Sequence, residues 1–366
     1  MGAIGDAVRK AEQRTPRRPN SDAPIFGIDR VAAAALSIFS VFAVPFLAAG
    51  TADVKDRLRD RWEQGAASDR QGAAAEWNEG NSHKEREEVF MQRFGIVLAG
   101  SFLLLLVHLN GTSAFAGWET GGKAGYISNL SRSVNDGQGD SYLGAYASFA
   151  RSPSGESRVD WTLSAVAEGA VFSSISDLGY AALTVSPEVI FFHGSTWTAS
   201  AGPYLQAKSV IDSDQSAWVF GGRIKLWQRL RKNLYLGEYY VYTDSQANAA
   251  VFSYTDSAFG AVLGVNWTRA FFTEIGYEYG RGESYQSVAT AAPVGGFFGG
   301  HQSMFSGAFG TTVVRERVTR NSIAVNAGID WTPSIFSVGT YAFTSRDSDL
   351  GSATSHSISA GIGYRF

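Results

Sequence analysis

From Gly117 to the C-terminus, apolar side chains recur at every second position, interrupted at short intervals by turn residues. The final stretch, HSISAGIGYRF, shows the pattern most clearly. Ile358, Ala360, Ile362, Tyr364 and Phe366 fall on one face; Ser357, Ser359, Gly361, Gly363 and Arg365 fall on the other. NSIAVNAGIDWT repeats it, with Ile323, Val325, Ile329 and Trp331 against Asn326, Gly328 and Asp330. SAFGAVLGVNWT sets Phe259, Leu263, Val265 and Trp267 against Gly260, Gly264 and Asn266. A period of two is the signature of an extended strand. Twelve strands are predicted, near 118–131, 140–151, 157–172, 181–193, 196–209, 216–230, 234–245, 256–268, 271–282, 320–332, 335–346 and 354–366.

The second face decides which solvent these strands meet. A soluble sandwich also alternates, but its outer face is rich in Lys, Glu and Thr. Here that face is Gly, Ser, Asn and single charges, too small and sparse for a solvated exterior. A transmembrane barrel inverts the soluble arrangement, with apolar residues toward lipid and polar ones lining the interior. Trp118, Trp161, Trp197, Trp218, Trp267 and Trp331 gather near segment ends, where an interfacial girdle belongs. Links alternate in length as well. SPSGE, HGST, LRKN, TRA and TPS lie on one side, and SVNDGQGD, IDSDQ, SQANAAVFSY and RDSDLGSAT on the other. The longest link runs from about Gly282 to Thr319. Its segment MFSGAFGTTVVRER also alternates, and as a hairpin it would extend strands nine and ten above the membrane.

Before Gly117 the period of two is absent. VAAAALSIFSVFAVPFLAAG, residues 31–50, is about long enough to cross a bilayer and follows Arg17, Arg18 and Arg30. A polar, charge-dense stretch comes next. MQRFGIVLAGSFLLLLVHLNGTSAFA, residues 91–116, has a basic start, an apolar stretch and the small-residue ending Ala114-Phe115-Ala116. That is the grammar of a secretory signal cleaved after Ala116; the other reading is a transmembrane helix. Met91 is then the expected natural start, with 1–90 a mis-assigned upstream extension, and 117–366 the barrel. Glu87-Glu88-Val89 is compatible with a ribosome-binding sequence just before the Met91 codon.

Composition narrows the class further. The 366 residues carry a net charge of -3, 18% charged side chains against roughly 25% in soluble proteins, 41 glycines and no cysteine. Disulfides and thiolate metal sites are excluded, and no basic footprint for nucleic acid exists. No metal or cofactor is expected.

The chain from Met91 to Phe366 resembles the Gram-negative outer-membrane β-barrels: signal, alternating strands and a terminal aromatic. The resemblance implies that the last strand, with Tyr364 and Phe366, is read by the barrel assembly machinery, and that lipid and lipopolysaccharide surround the protein. GRIKLWQRLRKNLYLGEYYVY also resembles, more faintly, the hairpin of BcsS-type barrels of cellulose biosynthesis, though Gly237-Glu238 lacks that group's intervening Pro.

Alternation then assigns the interior. The inward acids are Glu119, Asp160, Glu168, Glu188, Glu238, Glu274, Glu278 and Asp330; the inward bases are Lys123, Lys208, Arg223, Lys225, Arg229 and Arg365. Lys208, Arg223, Lys225 and Arg229 form an expected basic column. Such charges select ions and orient polar solutes, or pair across strands and fill the interior. Inward Gly144, Ser148, Gly202, Gly221, Gly260 and Gly264 favour an open lumen. Tyr142, Tyr146, Tyr204, Tyr240 and Tyr242 are expected to line it, either as rails for sugars or as filling.

Enzymatic activity is not expected. His193, His301 and His356 lack the Ser-His geometry of a lipase, and Asp347 and Asp349 lack the Asp-x-His of a rim protease. GGFFGG lacks a phosphate loop's Lys; its Phe297 and Phe298 could fold into the mouth or touch lipopolysaccharide. Two functions remain: a channel for small polar or charged solutes, or a non-conducting accessory barrel for export or anchoring of a surface polysaccharide.

Overall fold

The computed structural model describes residues 116–366 apart from 135–136, 152, 154–156, 194–195 and 289–301. The extension 1–90, the apolar runs up to Phe115, Ala114, Phe297, Phe298 and His301 all lie outside the described residues. Ala116 opens the first strand.

The alternating segments form β1 (Ala116–Ile127), β2 (Asp140–Arg151), β3 (Val159–Phe172), β4 (Tyr180–His193), β5 (Trp197–Val210), β6 (Ala217–Arg231), β7 (Leu234–Ala247), β8 (Tyr254–Asn266), β9 (Phe271–Val288), β10 (Ser303–Ser306), β11 (Thr311–Asp330), β12 (Ile335–Ser348) and β13 (Gly351–Arg365). Consecutive strands pair antiparallel from β1 to β9. β9 then pairs with β11, β11 with β12, β12 with β13, and β13 returns to β1. Twelve strands therefore close into a ring. Closure removes every edge, which a backbone surrounded by hydrocarbon requires. The seam is formed by Glu119↔Arg365 through Ile127↔Ser357.

The thirteenth strand is the alternating segment of the longest link. β10 pairs only with the start of β11, from Ser303↔Val314 to Ser306↔Thr311. β9 and β11 are the longest strands, and their pairing continues to Thr312↔Val288. Together they raise a three-stranded ribbon above the ring, as the hairpin reading of MFSGAFGTTVVRER expects. RDSDLGSAT differs from expectation. It is strand on both sides of a two-residue turn at Asp349 and Leu350, because Asp347↔Ser352 and Ser348↔Gly351 still pair and Gly351 supplies φ 124°.

The outer face is apolar and exposed. Leu143, Ile224, Phe259, Ile323, Ile358 and Ile362 all project from it. Trp118, Trp161, Trp197, Trp267 and Trp331 stand on this face at the short-turn end, five indoles around one rim. Trp267 Nε1 donates to Thr273 Oγ1 at 2.8 Å and Trp331 Nε1 to Ser337 Oγ at 3.0 Å. Phe366, T-stacked on Tyr364, sits at the same level, and its N–H reaches Trp118 O at 3.0 Å. Toward the other end the outward face carries Tyr126, Tyr240, Tyr242, Tyr277 and Tyr279. Tyr240 and Tyr242 thus face out, correcting the expectation that they line the lumen. Both parities of LYLGEYYVY are apolar, so alternation alone could not orient β7. Trp118 and Tyr126 mark the two levels on β1, eight positions apart. At about 3.3 Å per residue and a tilt of about 40°, the levels are about 20 Å apart along the axis.

Candidate functional site, the polar lumen and its mouth

Inward charges meet across neighbouring strands. Glu188 on β4 reaches past β5 to β6, where Arg223 Nε binds its Oε1 and Lys225 Nζ lies 2.9 Å from Oε2. Ser200 Oγ, on β5 between them, donates to Oε2 at 3.1 Å. Gly202 makes this reach possible: a Cβ there would stand 2.0 Å from Pro187 O and 2.9 Å from Glu188 Cγ. The expected basic column is therefore not an unopposed field. Arg223 and Lys225 share one carboxylate, which offsets one of their two charges. Arg229 is exposed at the short-turn rim, beside the register shift between Arg229 and Arg231.

Two more networks repeat the arrangement. Arg365 donates through Nε to Glu119 Oε2 at 3.1 Å and through Nη1 to Asp330 Oδ1 at 2.9 Å, with its guanidinium 3.9 Å above the Phe336 ring. Tyr146 OH completes Glu119 at 2.9 Å. Arg320 on β11 holds Asp256 at 2.9 Å and Glu278 at 3.0 Å, and Tyr239 OH donates to Glu278 at 2.8 Å. Glu274 accepts from Tyr235 OH at 2.5 Å and Asn326 Nδ2 at 3.2 Å. Asp160 lies 3.6 Å from Arg151 at the short-turn end. Glu168 faces the lumen, within electrostatic reach of Lys208. Lys123 also points inward, 5.9 Å from the Tyr142 ring centroid.

Glu238 does not line the lumen. It lies opposite outward Leu226 and Ala261 and accepts from Gln228 Nε2 at 3.3 Å on the outer face. Its parity is fixed by its neighbours, since Tyr235, Gly237 and Tyr239 are the inward residues of β7. His356 also faces out, as its parity predicts, with Nδ1 2.9 Å from Tyr341 OH. Asp347 accepts from Ser352 Oγ.

The inward glycines do not leave empty space. Tyr204 lies over Gly221, Tyr239 over Gly260, Tyr235 over Gly264 and Tyr146 over Gly121; a Cβ at any of them would stand 2.1–2.8 Å from a ring carbon. Each ring therefore lies flat on the wall of the adjacent strand. This changes the meaning of the glycines but not their consequence for the bore. Twelve strands about 4.8 Å apart, tilted about 40°, give a backbone radius of about 12 Å. A ring flat on the wall takes about 4 Å of that, much less than one directed at the axis.

At the long-loop end the links pack on one another. Phe309, at the tip of the β10–β11 hairpin, is 2% exposed and clusters with Leu178, Val251, Phe252 and Val313. Leu130, Ile175, Tyr285 and Met304 pack against this group. These residues leave the ring at the β1–β2, β3–β4, β7–β8 and β9–β11 links, so the cluster joins four links at that end. Gln138 Nε2 ties the tip down by donating to Phe309 O at 3.2 Å.

Three residues central to this arrangement escape alternation: Asp256, Phe309 and Arg320. Asp256 and Arg320 fall at the predicted strand ends, where a charge reads as loop. The parity of Arg320 with Ser322, Asn326 and Asp330 was the available signal.

No protein-family model matches the chain, and no curated protein matches it. Solved structures similar to it include an outer membrane channel from Pseudomonas putida F1 (TM-score 0.47, 9% identity, 70% of this chain and 97% of that one). They also include the KdgM porin in complex with disordered oligogalacturonate (TM-score 0.40, 9% identity, 68% and 99%) and the NanC porin (TM-score 0.39, 12% identity, 67% and 98%).

Proposed function

We propose that this protein is a bacterial outer-membrane barrel that passes small polar solutes, with the β10–β11 hairpin as the gate of its long-loop mouth. The observation that carries the reading is the pairing of an apolar, Trp- and Tyr-bordered exterior with a polar interior whose charges and rings lie along the wall. An exterior of about 20 Å between aromatic levels suits a membrane whose barrels carry an apolar band of about 25 Å. The short-turn end then faces the periplasm, and Tyr364 and Phe366 on β13 serve the assembly machinery. Lipid and lipopolysaccharide are the surrounding partners. The reading includes no catalytic step and no cofactor.

A second reading is favoured by the same ion pairs and by the packed links at the long-loop end: a non-conducting accessory barrel for a surface polymer. Planar-bilayer recording separates the two. A channel conducts in KCl, and Phe309→Ala raises its open probability. Absence of current in both wild type and Phe309→Ala would leave the accessory reading.

A further inference from the structure

Among the described residues, Glu238 is the only charged side chain that the outer face carries between its two aromatic levels. It follows Leu234 and Leu236 on the outward parity of β7 and precedes Tyr240. Outward Leu226 lies on one side of it and outward Ala261 on the other. Ile224, Phe259, Leu263 and Tyr240 stand exposed around it. An ionisable group surrounded by hydrocarbon is costly, and one that is kept there points to a partner. Lipid headgroups lie at the aromatic levels, so the acyl chains beside Glu238 bring it no donor.

Its own chain satisfies it only in part. Gln228 Nε2 on β6 donates one N–H to Glu238 Oε2 at 3.3 Å. The second N–H of that amide and Oε1 of the carboxylate have no partner among the described residues. A donor and an acceptor of charge-assisted strength thus stand side by side on neighbouring strands, at one depth, facing outward. Such a pair is its own complement. A two-fold axis along the barrel axis exchanges the two positions and preserves their depth. The relief of the face has the same property. Gly222 lies outward between exposed Phe220 and Ile224, and an added Cβ there would meet nothing nearer than 3.9 Å. A notch and two projections therefore share one strand, and small residues of this kind let two membrane segments approach closely.

We infer that the outer face of β6 to β8 is the contact surface for a second copy of this chain, in which the free N–H of Gln228 is donated to the partner's Glu238 and the reverse. A different protein would have to bring a donor to that depth, whereas a second copy brings one by symmetry. The inference rests on the lipid-facing exterior of the proposed barrel, and not on whether its lumen conducts.

The test uses the full barrel, in mild detergent for native mass spectrometry and in lipid vesicles for crosslinking. The chain has no cysteine, so Ala261→Cys places a unique thiol beside Glu238. Ala145→Cys, on outward β2 across the ring, is the control. Wild type is expected as two copies, and oxidation is expected to join Ala261→Cys chains in pairs while leaving Ala145→Cys chains single. Glu238→Leu is expected to weaken pairing about a hundredfold or more, because two charge-assisted bonds worth about tenfold each are lost. Glu238→Gln, which still accepts a hydrogen bond, is expected to keep the pair. Heat-shifted gel mobility establishes that each variant is folded. A single copy of wild type in both media, equal pairing by folded Glu238→Leu, or equal crosslinking through Ala145→Cys overturns the interface. Ile362→Arg reads the exterior separately. If it is destabilising while wild type is single, only the interface falls; if it is harmless, the lipid-facing exterior falls and the interface with it.

Discussion

Arg365 of the last strand donates to Glu119 of the first at 3.1 Å, directly across the seam that closes the ring. The same guanidinium holds Asp330 of β11, so one side chain ties three strands at the short-turn end. Both members of the seam pair are largely shielded, with side chains 13% and 15% exposed.

Arg365→Ala should lower barrel stability by about 2–3 kcal/mol, because it removes the cation from the shielded Glu119 and from the partly exposed Asp330. Glu119→Gln should cost less, since Arg365 keeps Asp330. Urea unfolding in lipid vesicles, followed by gel mobility, reads both. Equal effects would mean that the Asp330 bond contributes nothing.

Glu188→Gln exposes Arg223 and Lys225 to the lumen without their counter-charge. The variant should be less stable by about 3 kcal/mol and should shift reversal potentials in a KCl gradient toward chloride. An unchanged reversal potential in a conducting barrel would place the pair away from the ion path.

Gly264→Ala should displace the Tyr235 ring toward the axis and break its 2.5 Å bond to Glu274. A loss of about 1–3 kcal/mol is expected from the overpacking, with a narrower single-channel current. Gly339→Ala, whose added Cβ would meet nothing nearer than 4.0 Å, is the control. Identical behaviour of the two variants would count against rings packed on glycines.

Phe309→Ala removes the largest fully buried side chain of the mouth cluster. Core truncations of Phe cost about 3–5 kcal/mol, and here that cost falls on the cap rather than the ring. Bilayer recording should show longer open times with an unchanged unfolding midpoint. A lowered midpoint with unchanged open times would make the cluster part of the wall.

Ile362→Arg places a charge on the exposed outer face, 61% exposed in the bare chain. In lipid this should cost up to about 2–4 kcal/mol, depending on depth. Ser359→Arg, directed inward, should cost less. A harmless Ile362→Arg would contradict a lipid-facing exterior.

How far the sequence could be read depended on whether one parity was clearly polar. HSISAGIGYRF, NSIAVNAGIDWT and SAFGAVLGVNWT each contrast large apolar residues with small or polar ones, and all three lie in the ring as alternation assigns them. LYLGEYYVY offers apolar residues on both parities, so Glu238, Tyr240 and Tyr242 took the face opposite to expectation. What oriented β7 was the seating of Tyr235 and Tyr239 on glycines of β8, a contact between residues far apart along any pattern. Charges at strand ends were lost similarly: Asp256 and Arg320 sit where a strand runs longer than its apolar pattern.

The sequence by itself determined the period, the inverted distribution of apolar and polar faces, the number of strands in the ring and the way the last strand meets the first. These follow from local stereochemistry and from the solvent on each face of a strand. Only the tertiary structure decided which charges pair with one another, where the rings lie, and that Phe309 packs among four links at the long-loop end. Those facts depend on distances between strands and loops separated by up to hundreds of residues, and distance across a closed ring is not written in any local pattern.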